Sequence, residues 1–345
     1  RIGQAARRPF DLEHGPLLRG SLFQCDDEEY ALALNMHHII TDGWSIGVLI
    51  RDLSELYAAH LSGRPASLPD LPIQYADYAH WQRQWMNSDS IREELAYWKH
   101  KLEGSPPVLA LPADLRRPAV QTFQGARRQI HLPADLLEEL RAVGRREGAT
   151  LFMTLLTAFN ILIHRYTGEE DLLIGTPLAN RERAEVENLI GLFINMVVLR
   201  THLGGNPAFL ELLGRVRETV LEAFTQQDLP FERLVEELRP DRHAGHNPLF
   251  QVAFALQNTP EQPIQLSGTE FLGAIPADTG VSKFDLTLSL TETRDGLCGL
   301  VEYSTDLFED ATIERMLGHF RNLLEGIVKD PSQPISSLPL LFDGE

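Results

Sequence analysis

Two adjacent histidines, followed by an aspartate and a glycine, are the strongest candidates for chemistry in this 345-residue chain. His37 and His38 stand side by side, Asp42 lies four residues after His38, and Gly43 follows it. An imidazole can accept and return a proton near neutral pH, so this spacing favours general acid–base chemistry. The alternative is a packed core histidine beside a capping aspartate, which requires no chemistry.

The neighbouring residues predict how the histidines are positioned. Alternating apolar residues from Tyr30 to His38 predict a strand that ends at the histidines, which points the two imidazoles to opposite faces. From Ser45 onward the apolar spacing becomes helical, with Ser45 as the expected N-cap and Gly63 as the expected end. The residues therefore predict the order strand, loop, helix, with the N-terminus of the helix near His38.

The composition argues against several other functions. A formal net charge of -18 disfavours binding to nucleic acid or to an anionic membrane, and no segment reaches the about 18 apolar residues of a membrane helix. Cys25 and Cys298 are the only cysteines, which predicts free buried thiols and a reducing cytoplasm. His243 and His246 lack cysteine or carboxylate partners at ligand spacing, so we expect no metal site.

A stretch rich in helix and strand breakers divides the chain into two predicted lobes. Residues 104–118 contain four prolines, which indicates a connector. We predict an N-terminal lobe over residues 1–108, a C-terminal lobe over 109–330, and a linker over 331–345 toward a following domain. The main predicted elements are helices over 73–85, 91–102, 134–146, 150–166 and 310–328, strands over 127–132, 171–175, 192–201 and 248–256, and a hairpin over 284–303.

Residues 36–45, MHHIITDGWS, resemble the active-site motif of condensation domains from nonribosomal peptide synthetases. These domains belong to the chloramphenicol-acetyltransferase-like acyltransferases. Other segments are similar to family motifs in the family's order: 9–12, 15–19, 75–82, 174–181, 190–195, 227–232, 247–251 and 283–286. The resemblance therefore covers essentially the whole chain. It implies an α/β (α+β) fold with two chloramphenicol-acetyltransferase-like lobes, each a mixed sheet flanked by helices.

The chain also departs from the family pattern. His246 stands where the family usually has arginine, and Met196 stands where it often has threonine. A methionine that faces the substrate channel narrows it, so we do not transfer substrate preference from relatives. The family has further strands and a helix upstream of Pro9. We therefore expect the N-terminal lobe to be incomplete and the chain by itself to be poorly stable, because sheet edges and apolar surface of this lobe stay uncovered.

The resemblance implies a reaction and its partners. The amine of an acceptor attacks the thioester of a donor acyl or peptidyl group, and both are held on the 4'-phosphopantetheine arms of peptidyl carrier proteins. The domain itself is expected to bind no cofactor. An upstream donor carrier, a downstream acceptor carrier and an adjoining adenylation domain are the expected partners, in the cytoplasm. The pattern favours an L-configured donor, with an epimerisation domain or a noncatalytic enzyme-recruiting domain of the same fold as alternatives.

The resemblance also assigns roles to individual residues. His38 is the expected catalytic residue, either as a general base or by orienting the amine. His37, Asp42 and Gly43 are expected to support it, and Asp42 to form a bidentate pair with Arg181 in the second lobe. The expected substrate-tunnel residues are Trp44, Ser45, Asn195 and Met196.

Overall fold

The structure, a computed structural model, describes residues 3, 6–106, 108–238, 244–257, 266–272, 279–342 and 345. They belong to two compact units. Unit 1 comprises the ranges Arg1–Ser88, Ala179–Ile194 and Thr259–Thr279, and unit 2 comprises Asp89–Leu178, Asn195–Asn258 and Gly280–Glu345. Arg181, which the sequence analysis assigns to the C-terminal lobe, therefore lies in unit 1.

The described residues form the following elements. The strands are β1 Leu18–Gln24, β2 Tyr30–Met36, β3 Gly125–Pro133, β4 Asp171–Leu178, β5 Asn195–His202, β6 Val252–Gln257, β7 Leu286–Thr293 and β8 Gly296–Ser304. The helices are α1 Gly43–Ser62, α2 Tyr75–Trp85, α3 Asp89–Lys101, α4 Ala134–Arg146, α5 Leu151–Thr167, α6 Ala184–Glu187, α7 Phe209–Phe224, α8 Phe231–Leu238 and α9 Asp310–Lys329. Most of the predicted helices and strands are confirmed to within a few residues.

Unit 2 is built on a six-stranded mixed sheet in the order β3-β8-β7-β6-β4-β5. Strands β6 and β7 pair in parallel, as do β4 and β6, whereas the outer pairs are antiparallel. Helix α5 contacts α4, α7 and α9, and every residue of α5 from Met153 to Ile163 is buried. The predicted fold class, a mixed sheet flanked by helices, is confirmed.

The C-terminal segment differs from the predicted linker. Ile335 and Leu338 are buried, and the Ile335 N–H donates to the carbonyl of Pro207. Their apolar side chains favour burial over an extended path through solvent, so this part of the segment belongs to unit 2.

Cys25 and Cys298 are free as expected, but both are exposed, so the expected burial is wrong.

In the described part of the chain, no single helix is long and apolar enough to cross a membrane. One bent pair of helices, Ala134–Arg146 with Leu151–Thr167, meets the length and composition criteria.

Unit 1 contains a two-stranded antiparallel sheet of β1 and β2. Leu22 pairs with Leu32, and their exposed fractions are 68% and 50%. Leu18, Tyr30 and Leu34 share this face and are also exposed. Alternation along both strands therefore places a continuous apolar surface in solvent, which favours association with other apolar surfaces.

Candidate functional site

The two histidines lie in a short turn between β2 and α1. Strand β2 ends at Met36, and His38–Ile40 form a single 3₁₀ turn with His37 as its N-cap. The predicted strand, which ran to His38, is therefore two residues too long. Strand alternation cannot be used to orient the imidazoles, whose directions follow from their hydrogen bonds.

His37 has a structural environment. Its Nδ1 accepts the Ile39 N–H at 3.1 Å, and its backbone N–H donates to the carbonyl of Leu17 at 2.9 Å. The ring also packs against Phe10 in a T-shaped arrangement, with 5.8 Å between ring centroids. These contacts hold the turn in place, and they suit His37 to a structural role better than to proton transfer.

His38 has the environment of a proton acceptor. Its side chain is exposed, and its Nδ1 lies 2.6 Å from the carbonyl oxygen of Thr41. A carbonyl can only accept a hydrogen bond, so Nδ1 carries the proton and the neutral ring has its lone pair on Nε2. The turn thereby selects one tautomer and leaves the basic nitrogen on the other side of the ring.

Asp42 anchors the next turn of the chain. Its Oδ1 accepts the Ser45 N–H at 2.8 Å, which makes Asp42, and not Ser45, the N-cap of α1. Its Oδ2 accepts the Phe193 N–H at 2.9 Å. The residue is 4% exposed. The predicted helix end is confirmed, since Gly63 adopts a left-handed φ of 65° as the C-cap.

Arg181 forms the expected ion pair with Asp42, but not in the expected geometry. A single nitrogen, Nη2, lies 3.2 Å from Oδ1 and 3.5 Å from Oδ2 of Asp42. The other, Nη1, donates to the carbonyls of Val186 and Leu189 at 2.6 and 2.8 Å. Both charged side chains are almost completely buried. Burial lowers the pKa of Arg181, and the negative charge of Asp42 opposes that change.

Ser45 completes this buried network. It is fully buried, and its hydroxyl lies within 3.1 Å of Asp42, Arg181 and both backbone polar atoms of Gly191. A side chain with no exposed surface and no unused hydrogen-bonding capacity is poorly suited to line a substrate tunnel, the role expected from the sequence. We therefore assign Ser45 to the scaffold of the site.

Trp44 and Gly43, at the start of α1, are more exposed than Asp42 and Ser45. Trp44 is partly exposed, and its indole N–H donates to the carbonyl of Glu187 at 2.9 Å. Gly43 is exposed, and a Cβ built on it would meet no described atom within 4 Å. Packing within the described chain therefore does not require glycine at this position.

Comparison with known proteins decides the family. The family model described as "Condensation domain" matches residues 1–345. The chain belongs to the condensation-domain family. The family resemblance carried by the histidine motif and the segments around it is thus confirmed.

Relatives and solved structures place this condensation domain among peptide synthetases. It is 51% identical over 341 residues to one of the linear gramicidin synthase proteins of Brevibacillus parabrevis, covering 99% of this chain and 4% of that protein. It is 46% identical to phosphinothricin tripeptide synthetase PhsC of Streptomyces viridochromogenes, covering 98% of this chain and 31% of that protein. The chain thus spans a small fraction of the relatives' length.

Two solved structures share the fold. The X-domain from teicoplanin biosynthesis is 29% identical with a TM-score of 0.89, and the match covers 98% of this chain and 78% of that one. A holo four-domain nonribosomal peptide synthetase bound to AMP and glycine is 27% identical with a TM-score of 0.89, covering 99% of this chain and 27% of that one. The expected condensation-domain fold is thereby shown.

The other two expected tunnel residues of this condensation domain lie in unit 2. Asn195 is buried, and its Nδ2 donates to the carbonyls of Gln227 and Leu229 at 2.8 and 2.9 Å. Its Oδ1 accepts the Phe231 N–H at 3.0 Å. The amide is therefore occupied in holding the loop before α8, which indicates a structural role. Met196 is partly exposed, so substrate contact at this position stays a prediction.

Glu94 holds the same loop and was not found from the sequence. It is 8% exposed, and its Oε2 accepts the Leu229 N–H at 3.0 Å. Burial raises the pKa of Glu94 to about 7, and the nearby charge of Asp228 acts in the same direction. Glu93, beside it on α3, is exposed.

We expect Glu94→Gln to stabilise the condensation domain above pH 7 by about 1–2 kcal/mol, with little effect below pH 4.5. The protonated form of Glu94 is favoured in the folded state, so its contribution to stability is complete at low pH. That contribution is lost as the pH rises toward about 7. A glutamine stays neutral and can still accept the Leu229 N–H. Urea unfolding across this pH range tests the expectation, and Glu93→Gln should show no such trend. A pH-independent difference would contradict the assignment.

We looked for metal ligands among the described residues of the condensation domain. In the residues that the structure describes, no group of three or more histidine, cysteine, aspartate or glutamate side chains could hold an ion. Nδ1 of His246 lies 3.0 Å from the carbonyl oxygen of Asn247, so this nitrogen is the donor of that hydrogen bond. His243 lies outside the described residues.

Proposed function

We propose that this chain forms peptide bonds between two carrier-bound substrates, with His38 as its catalytic residue. The observation that supports this most directly is the exposed imidazole of His38, whose Nδ1 donates to the Thr41 carbonyl and whose Nε2 therefore has a lone pair. Family membership supplies the reaction class, since condensation domains of peptide synthetases form peptide bonds.

The proposed reaction is an acyl transfer without an acyl-enzyme. The acceptor amine attacks the carbonyl carbon of the donor thioester, a C–N bond forms, and the C–S bond breaks. Where His38 is a general base, the amine proton passes through its Nε2 and leaves on the sulphur of the departing phosphopantetheine thiol; where His38 only orients the amine, solvent carries that proton to the sulphur. Backbone amides near Gly43, at the start of α1, are candidates to stabilise the oxyanion. Holding the two thioesters end to end supplies a further and larger part of the rate enhancement.

The finer assignments belong to the same proposal. The donor is L-configured, both substrates arrive on 4'-phosphopantetheine arms, and the carriers belong to the same cytoplasmic assembly as an adenylation domain. The length of the relatives supports the multidomain setting, because this chain covers only 4% of the gramicidin synthase protein and 31% of PhsC. The lobe boundary at residue 108 and the following domain expected after residues 331–345 also stay predictions.

A second candidate function is recruitment of another enzyme without catalysis. The similarity to the teicoplanin X-domain favours it, because a solved complex joins that X-domain to OxyB. The intact pair His37-His38 followed by Asp42-Gly43 favours catalysis here. Epimerisation of the donor residue is the remaining alternative.

One experiment separates the three functions. The protein is mixed with a donor carrier loaded with an L-aminoacyl or peptidyl thioester and an acceptor carrier loaded with an aminoacyl thioester. Mass spectrometry of the acyl groups and chiral analysis of the donor residue follow. A new amide on the acceptor carrier supports condensation. An inverted α-carbon without a new amide, or two unchanged substrates, contradicts it.

A further inference from the structure

We propose that Ser45 is a positioning residue for His38, a role that rests on the proposed function. Its hydroxyl joins the turn that carries His38 to the segment around Gly191. The site would then depend on a side chain that touches neither substrate nor the catalytic imidazole.

The hydroxyl of Ser45 is fully used. Its oxygen accepts hydrogen bonds from Nη2 of Arg181 at 2.8 Å and from the Gly191 N–H at 3.1 Å. Its single proton can go to Oδ1 of Asp42 at 2.8 Å or to the carbonyl of Gly191 at 2.9 Å. A hydroxyl has two acceptor sites and one donor, so this arrangement saturates it. One hydroxyl group of Ser45 therefore links Asp42, Arg181 and Gly191.

The segment around Gly191, which Ser45 contacts, is itself held by packing and hydrogen bonds. A Cβ on Gly191 would lie 2.2 Å from the ring of Tyr75, so the backbone packs directly on that ring. The Tyr75 hydroxyl also donates to the carbonyl of Leu192 at 2.8 Å, and the Phe193 N–H donates to Asp42. The residues that hold Ser45 are thus anchored on α2 as well.

Ser45 is connected to His38 through Asp42 and Thr41. Ser45 contacts Oδ1 of Asp42, Asp42 follows Thr41 in the chain, and the Thr41 carbonyl accepts the proton of His38 Nδ1. A backbone shift of the Asp42 loop, once its carboxylate loses the Ser45 hydroxyl, would move the adjoining Thr41 carbonyl that orients the imidazole. A displacement of about 1 Å at a reacting group can lower a rate about 10²-fold.

Serine suits this position better than its nearest alternatives. Alanine would leave the Gly191 N–H and Nη2 of Arg181 without this acceptor in a buried site. Threonine would add a methyl group where the residue has no exposed surface. Cysteine keeps an acceptor of similar size, but sulphur accepts hydrogen bonds weakly.

The test is a double-mutant cycle on catalysis with Ser45→Ala, His38→Ala and the combination. We expect Ser45→Ala to lower the single-turnover rate about 10–10²-fold, with the KM for either loaded carrier changed less than about twofold. If Ser45 acts through His38, the combination should be no slower than His38→Ala alone. The control is Ser54→Ala on the same helix, whose hydroxyl donates only along α1 to the carbonyl of Ile50.

The outcomes separate this proposal from the proposed function. Losses that multiply in the combined variant, or a fully active Ser45→Ala, overturn the positioning role while leaving peptide-bond formation intact. A fully active His38→Ala overturns the catalytic assignment itself. If Ser45→Ala does not accumulate as a folded protein, Ser45→Cys is measured in the same cycle by the same criteria. Nitrogen-15 NMR of labelled histidine adds a direct readout, since the proposal expects His38 to lose its single tautomer in the serine variant.

Discussion

Replacing His38 with alanine should slow peptide-bond formation by about 10²–10⁴-fold, the range typical of a lost general base. The protein should fold normally, because the ring is exposed and its one described partner is the carbonyl of Thr41. Single-turnover rates with carrier-bound substrates, together with thermal unfolding, measure both parts. A fully active variant would remove His38 from the mechanism.

The pH dependence of the loss distinguishes the two roles open to His38. A general base matters less once the acceptor amine is already deprotonated, so the deficit should shrink as the pH rises. An imidazole that only orients the amine leaves a deficit nearly independent of pH. Single-turnover rates of the wild type and of His38→Ala are measured from roughly pH 6 to 9, a range that spans the ordinary histidine and α-amine pKa values. The change of the deficit over this range separates the general base from the orienting role.

His37→Ala is the matched control for His38→Ala. It removes the acceptor for the Ile39 N–H and the edge contact with Phe10, both of which support the turn. We expect it to lower the free energy of unfolding by about 1 kcal/mol, as the loss of a side-chain cap does. Its effect on the rate should follow its effect on stability, unlike that of His38→Ala.

Asp42→Ala should lower the free energy of unfolding by about 3–5 kcal/mol, because it leaves the guanidinium of Arg181 buried without its counter-ion. The side chains of Arg181 and Asp42 are only 1% and 3% exposed. The same change removes the N-cap of α1 and the acceptor for the Phe193 N–H. Urea unfolding and the yield of soluble protein should both report this loss before any assay of activity.

Arg181→Ala should cost a similar amount, and the double variant much less than the sum. Removing both charges leaves no unpaired charge in the buried site, so the cycle should show a large coupling energy. The exposed pair Glu211–Arg215, four residues apart on α7, is the control and should couple by only about 0.3–0.5 kcal/mol. Additive effects of Asp42→Ala and Arg181→Ala would show that the two side chains do not stabilise each other.

Local patterns predicted the elements well where one periodicity dominates. Helices α4 and α9 and the hairpin of β7 and β8 follow the apolar spacing closely. The start of α1 was missed because Asp42 and Ser45 are both good N-caps, and periodicity alone cannot choose between them. The contacts of Asp42 with Arg181 and Phe193, 139 and 151 residues away, hold its carboxylate at the start of the helix.

For the candidate site, the sequence predicted some residues and their pairing but not the geometry of the pair or the role of Glu94. His38 and the Asp42–Arg181 pair were found through a family motif, whereas the one-nitrogen geometry of the pair depends on the carbonyls of Val186 and Leu189. Glu94 gave no signal, since it follows Arg92 and Glu93 in a charged run that is typical of a solvated helix face. Its burial is decided by a loop 135 residues further on.

The discontinuity of unit 1 has a consequence for biosynthesis. Asp42 emerges from the ribosome 139 residues before Arg181 and 151 residues before Phe193. At about 5–20 residues per second, the carboxylate waits on the order of ten seconds for its partners. During that time the first 88 residues cannot complete their own packing, while α3, α4 and α5 are already available to unit 2. The histidine turn therefore reaches its final conformation only after residue 193 has been made, and an N-terminal piece that stops before that residue lacks a complete site.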